Sequence, residues 1–107
     1  MGSNAGMPPA MTQPAEIDTA IRPELNPLFL LRWEETQDSY VLLYPEGVVK
    51  LNPTAGEILR RCTGEATLGE MLEELKAFFA GPPDSVEQGV RKFLEVSHAK
   101  GWIRYRA

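Results

Sequence analysis

The chain holds one cysteine and one histidine, Cys62 and His98. Few reactive sites can be assembled from so small a set. A zinc site of the Cys/His kind needs more ligands than these two provide, and an internal disulfide is impossible. A Ser-His-Asp triad would need His98 as its base, and no nucleophile motif lies near it. Cys62 falls on the helical spacing Ala55, Ile58, Leu59, Cys62, where a thiol is a small buried hydrophobe. His98 follows Phe93 and Leu94 near a predicted helix end, where an imidazolium complements the helix dipole. Glu70, Glu73 and Glu74 cluster in sequence, and their spacing puts them on the polar face of an amphipathic helix. Residue chemistry therefore points to binding rather than catalysis.

Charge is unevenly spread. Residues 57–87 carry three bases and seven acids, whereas residues 88–107 carry five bases (Arg91, Lys92, Lys100, Arg104, Arg106) against Glu95. The whole chain has a formal net charge of −4. Phosphate contacts dominate nucleic-acid affinity, so an acidic body with one basic end makes a poor general DNA binder. That end is suited to orienting an acidic partner. No apolar run approaches the ~20 residues of a membrane span, which predicts no membrane partner. The first residues lack the basic and apolar stretches of a secretory signal, and the expected compartment is the reducing cytoplasm.

The elements that must position a binding surface begin at Pro27. Residues 1–26 hold four of the nine prolines and no periodicity, which reads as a disordered tail. Residues 27–107 read as the folded domain. Leu28–Trp33, Tyr40–Tyr44 and Val48–Leu51 are three short apolar runs separated by polar turns, an antiparallel meander. Alternation puts Phe29, Leu31, Trp33, Val49 and Leu51 towards the core and Arg32 and Lys50 outside. Leu28, Leu30, Val41 and Leu43 make the other face apolar as well, so either the helices wrap it or a partner covers it.

Three helices follow. Asn52 caps the first, Pro53 opens it, and Gly64 is its expected C-cap. Thr67 and Glu70 form a capping box ahead of Leu68, Met71, Leu72, Leu75, Phe78 and Phe79. Asp84 and Glu87 resemble a second box ahead of Val86, Val90, Phe93, Leu94 and Ser97. Trp102–Tyr105 is a short β-prone end. A three-stranded antiparallel sheet followed by three helices is an α+β, winged helix-turn-helix-like arrangement. A DNA-binding version of that fold is the alternative function, and a quinone-binding or maturation enzyme is a third.

The runs Tyr44-Pro45-Glu46-Gly47, Val48-Val49-Lys50-Leu51-Asn52 and Thr54-Ala55-Gly56-Glu57-Ile58-Leu59-Arg60-Arg61-Cys62 resemble the PqqD family signature. The Leu28–Trp33 strand and the Thr67–Leu75 helix fit it too, so the resemblance covers residues 23–105. Thr63-Gly64 stands where the family commonly has Asp-Gly. The resemblance implies a non-catalytic peptide chaperone of pyrroloquinoline quinone (PQQ) biosynthesis, with no cofactor of its own. Such a protein binds the precursor peptide PqqA and presents it to PqqE, a radical S-adenosylmethionine enzyme that holds the iron–sulfur clusters. It also implies that the peptide's leader adds as a strand beside the third strand and lies against the third helix. The expected binding residues are then Val48, Val49, Lys50 and Leu51 on the strand, with Val90, Arg91, Phe93, Leu94 and Ser97 on the helix.

One feature of the residues supports this separately. The third strand ends the meander, so one of its sides carries unpaired backbone groups, and Lys50 is placed to guard them. Either Val48 and Lys50 or Val49 and Leu51 face that side. The chain is expected to be a monomer or a strand-exchanged homodimer.

Overall fold

Two antiparallel sheets and three helices make up the computed structural model, which describes residues 17–107. The strands are β1 (Arg22–Leu25), β2 (Leu30–Glu34), β3 (Ser39–Tyr44), β4 (Gly47–Lys50) and β5 (Ile103–Arg106). The helices are α1 (Pro53–Leu59), α2 (Leu68–Phe78) and α3 (Pro83–Ala99), all lying between β4 and β5.

β2, β3 and β4 form the expected meander. Pro45 and Glu46 alone separate the paired residues Tyr44 and Gly47, a two-residue hairpin. The register aligns Leu31, Leu42 and Val49 on one face, with Trp33 and Tyr40 two residues along. Helices cover this face at Leu42, which is buried in the core with Leu51, Ile58, Leu59, Leu72, Leu75, Val90 and Leu94, but Trp33, expected to face the core, stays 45% exposed. On the opposite face Leu30, Leu43 and Val48 lie in one row. The helices do not wrap that row: Leu30 is 59% exposed and Val48 60%.

Local capping sets the helix starts. Asn52 Oδ1 accepts the Ala55 amide at 2.7 Å, and Pro53 needs no amide partner there. Thr67 Oγ1 accepts from the Glu70 amide at 3.1 Å while Glu70 Oε1 accepts from the Thr67 amide at 2.8 Å. α1 packs closely on the sheet through Gly56, where an added Cβ would sit 2.6 Å from the Tyr40 ring.

Four expectations are corrected. First, the chain is ordered well before Pro27. β1 pairs with β5 in a second, two-stranded sheet, Arg22 opposite Arg106 and Leu25 opposite Ile103. Glu24 accepts from Arg104 at 3.0 Å and lies 3.7 Å from Arg106. Pro23 is tolerated because a two-stranded ribbon is all edge. The rest of the expected tail, residues 1–16, lies outside the described residues. One strand thus precedes the meander, and the β-prone end expected at Trp102–Tyr105 forms another at Ile103–Arg106, so the order differs from three strands then three helices.

Second, α1 ends at Leu59 with Arg60 as C-cap, and Cys62 sits in the following turn, still buried. Gly64 adopts φ +84°, which glycine accepts readily, so that its amide donates to Pro23 O at 2.9 Å. Third, Phe78 leaves the buried stripe of α2. It lies 54% exposed, with the Arg61 guanidinium 5.1 Å from its ring centre, while Phe79 packs on the core. Fourth, Asp84 and Glu87 make no capping box. Pro82 is the N-cap, and Glu87 instead binds Lys76 and Arg91, each at 2.9 Å, tying α2 to α3.

Candidate peptide-binding site

The site has two parts, an open strand edge and an apolar groove. β4 pairs with β3 on one side only among the described residues. The Leu51 amide donates to Tyr40 O at 3.1 Å. Bonded and non-bonded positions alternate along an antiparallel ladder. Val49 and Gly47 therefore also turn their backbone groups to β3. Val48 and Lys50 turn theirs to the open side, which decides between the two pairs that alternation alone leaves open.

The groove begins at Asn52, the N-cap of α1 two residues past the end of β4, and has a volume of about 660 Å³. Ala55 and Ile58 of α1 form one wall, Phe79 to Pro82 close one end, and α3 supplies Val86, Gly89, Val90, Phe93 and Val96. Asn52, Thr54, Ser85 and Lys92 are its polar members. Such a surface can hold apolar side chains and place one cation near them, which matches how ligand clefts combine apolar walls with few polar groups.

The expected site residues separate into three groups. Val48 and Lys50 offer backbone at the open edge, with exposed side chains, while Val49 is half-buried and Leu51 buried in the core. Val90 and Phe93 line the groove. Leu94 and Ser97 are 0% exposed and belong to the core beneath it. Arg91 is turned elsewhere: its Nε donates to Glu87 at 2.9 Å and its Nη1 to Ile17 O at 2.9 Å. The groove cation is Lys92, an exposed side chain 3.6 Å from Glu95. Val86 was legible on the helical stripe, and Gly89 and Val96 share its spacing. Ile58 and Phe79 give no local sign that they border a groove.

Electrostatics elsewhere is structural. Burial pushes the Cys62 thiol up to about 12, so it stays protonated and unreactive at neutral pH. The Tyr105 hydroxyl is also pushed up to about 12, first by burial and then by Glu95. Its ring stacks flat on His98 at 4.2 Å. Hydrogen bonds from Arg61 and Arg60 hold the Glu57 carboxyl below its usual range. Arg61 is buried and is held between Glu57 and Glu74. Among the described residues, no group of three or more His, Cys, Asp or Glu side chains is placed to hold a metal. No described helix is long and apolar enough to cross a membrane.

A small α+β domain with two antiparallel sheets and three helices has a solved counterpart. The solution NMR structure of the PqqD truncation of Methylobacterium extorquens PqqCD, described as a functional, stand-alone RiPP recognition element, superimposes with a TM-score of 0.64. It is 24% identical, and the match covers 77% of this chain and 87% of that one. The family model "Coenzyme PQQ synthesis protein D (PqqD)" matches residues 39–103. The chain belongs to the PqqD family. A relative from Methylococcus capsulatus named "PqqA binding protein" is 42% identical over 81 residues, 76% of this chain and 85% of the relative. A protein of the same name from Acinetobacter baylyi is 37% identical over 83 residues, 76% of this chain and 81% of the relative.

Proposed function

We propose that this chain binds the precursor peptide PqqA without catalysing a reaction, and presents it to the radical S-adenosylmethionine enzyme PqqE during PQQ biosynthesis in the cytoplasm. The carrying observation is the outward-facing backbone of Val48 and Lys50, on the strand that leads within two residues to the groove at Asn52. An extended peptide gains affinity from backbone bonds along β4 and specificity from side chains set into the groove. The names of the curated relatives support the identity of the peptide, and the family resemblance supports the enzyme that receives it.

The meander and three helices serve as a winged-helix-like scaffold for a peptide, not for nucleic acid. The basic end supports that choice, because its cations are largely committed within the fold. Arg91 is bound to Glu87, and Arg104 and Arg106 lie against Glu24. Titration calorimetry with synthetic PqqA tests the proposal. One peptide should bind per chain, with a modest salt dependence. Absence of binding, or a steep salt-dependent affinity for duplex DNA in its place, would overturn it.

A further inference from the structure

Gly89 lies within α3, a helix of 17 residues, and lines the groove. Three ordinary reasons for a glycine fail there. Its backbone is not among those with positive φ, so no left-handed conformation requires it. A Cβ built on it meets nothing within 4 Å, so no close packing requires it. Helix propensity argues against it, since only proline is less favoured in a helix interior. What remains is its effect on the shape of the groove.

Val86 and Phe93 stand three residues before and four after Gly89 on the same face, and both are partly buried against the core. Val90 lies between them as a floor, only 2% exposed. The missing side chain thus leaves a notch between two apolar walls, facing Ala55 and Ile58 of α1 across the groove. Val86, Val90 and Phe93 offer a charged or polar group no partner for the water it would lose, and the polar side chains within one turn of the notch are Ser85 and Lys92 at the groove's surface. A leucine, isoleucine or phenylalanine would lose only apolar hydration.

We propose that Gly89 is a specificity-determining residue, and that its notch receives one bulky apolar side chain of the bound peptide. This rests on the peptide-binding reading above. A strand lying along β4 turns alternate side chains to one face, so an anchor residue can enter the notch while its neighbours point away. The fold gives up helix stability at residue 89 to keep that space open.

The test uses Gly89→Ala and Gly89→Leu in the full chain, with synthetic PqqA and a set of its variants in which each bulky apolar residue is replaced by alanine. Gly89→Ala should raise the melting temperature by several degrees and weaken peptide binding about tenfold, two effects of opposite sign that a merely structural glycine would not produce. Gly89→Leu should remain folded and weaken binding further. One alanine variant of the peptide should bind the wild-type protein weakly yet lose little more on Gly89→Leu, which identifies the anchor. If the wild-type protein binds PqqA and both variants bind it equally well, the notch is not used and the assignment of Gly89 falls alone. If the wild-type protein does not bind PqqA, the peptide reading falls and the notch with it.

Discussion

Proline substitution along β4 gives an alternating result if the edge is assigned correctly. At Leu51, proline removes the amide that donates to Tyr40 O at 3.1 Å. The lost bond costs about 0.5–1.5 kcal/mol, and an acceptor left buried without a partner raises that to about 1–3 kcal/mol. The Leu51 side chain is 5% exposed, and truncating a buried leucine costs a further 2–5 kcal/mol or so. Against a typical total of about 5–15 kcal/mol, Leu51→Pro should unfold the domain or bring it close to unfolding. Val49→Pro should lower the melting temperature sharply for the same backbone reason.

At Val48 and Lys50 the amide faces the open side and both side chains are exposed, so proline removes no internal bond. The fold should survive, with a smaller loss than at Leu51 or Val49. Peptide affinity should drop about tenfold for each well-made bond worth roughly 1.4 kcal/mol. Circular dichroism melts and calorimetry with PqqA, each against an alanine control at the same residue, separate the two effects. Should Lys50→Pro unfold the domain as Leu51→Pro does, the facing of the backbone is wrong. Should folded Val48→Pro and Lys50→Pro bind like their controls, the peptide does not pair with β4.

Cys62→Ser buries a hydroxyl where a thiol sat and should cost about 1–3 kcal/mol in a denaturant melt, with peptide affinity retained by the folded protein. Wild-type Cys62, with its thiol pushed up to about 12, should react with a maleimide only as fast as the domain opens. The two cations of α3, Arg91 and Lys92, should differ. Lys92→Glu should weaken binding of an acidic peptide with little effect on the melt, whereas Arg91→Glu should lower the melting temperature because Glu87 and the Ile17 carbonyl lose their donor. The carboxyls of Glu57 and Glu87 titrate below the ordinary glutamate value of 4.5 in the folded state, mainly through hydrogen bonds from Arg61 and from Lys76 respectively. A depressed folded value stabilises above the unfolded one, and that stability is lost as pH falls through the folded one. Melting temperature should therefore decline as pH drops below about 4.5, and Glu87→Gln should flatten that decline.

Helix starts were legible because capping is local: Asn52 reaches Ala55, and Thr67 reaches Glu70, within one turn. Glu87 shows the limit, since Lys76 on another helix and Arg91 one turn along claim the carboxylate that a local pattern would assign to a cap. The β5 end reads as β-prone, but its partner β1 was hidden for a similar reason. Four residues beginning Arg22-Pro23 look like no strand alone, and their partner lies some 80 residues away, as Glu24 to Arg104 shows. The strand half of the site was readable from the meander, which has a last strand and hence an open side. The helix half was only partly readable. Val90, Phe93, Leu94 and Ser97 share one stripe, and a stripe's period does not tell the part facing a groove from the part under the core. Gly89 gives no signal in the sequence, because a glycine adds nothing to an apolar pattern, although it lines the groove.

Amide hydrogen exchange on the uniformly ¹⁵N-labelled chain, with and without saturating PqqA, tests strand addition most directly. In the free protein the Leu51 and Val49 amides should be slow, being bonded to β3, and those of Val48 and Lys50 fast. With PqqA bound, Val48 and Lys50 should slow markedly while Leu51 and Val49 change little. If PqqA saturates the protein and the Val48 and Lys50 amides still exchange at their free rates, the peptide is held without joining the sheet, and strand addition along β4 is refuted.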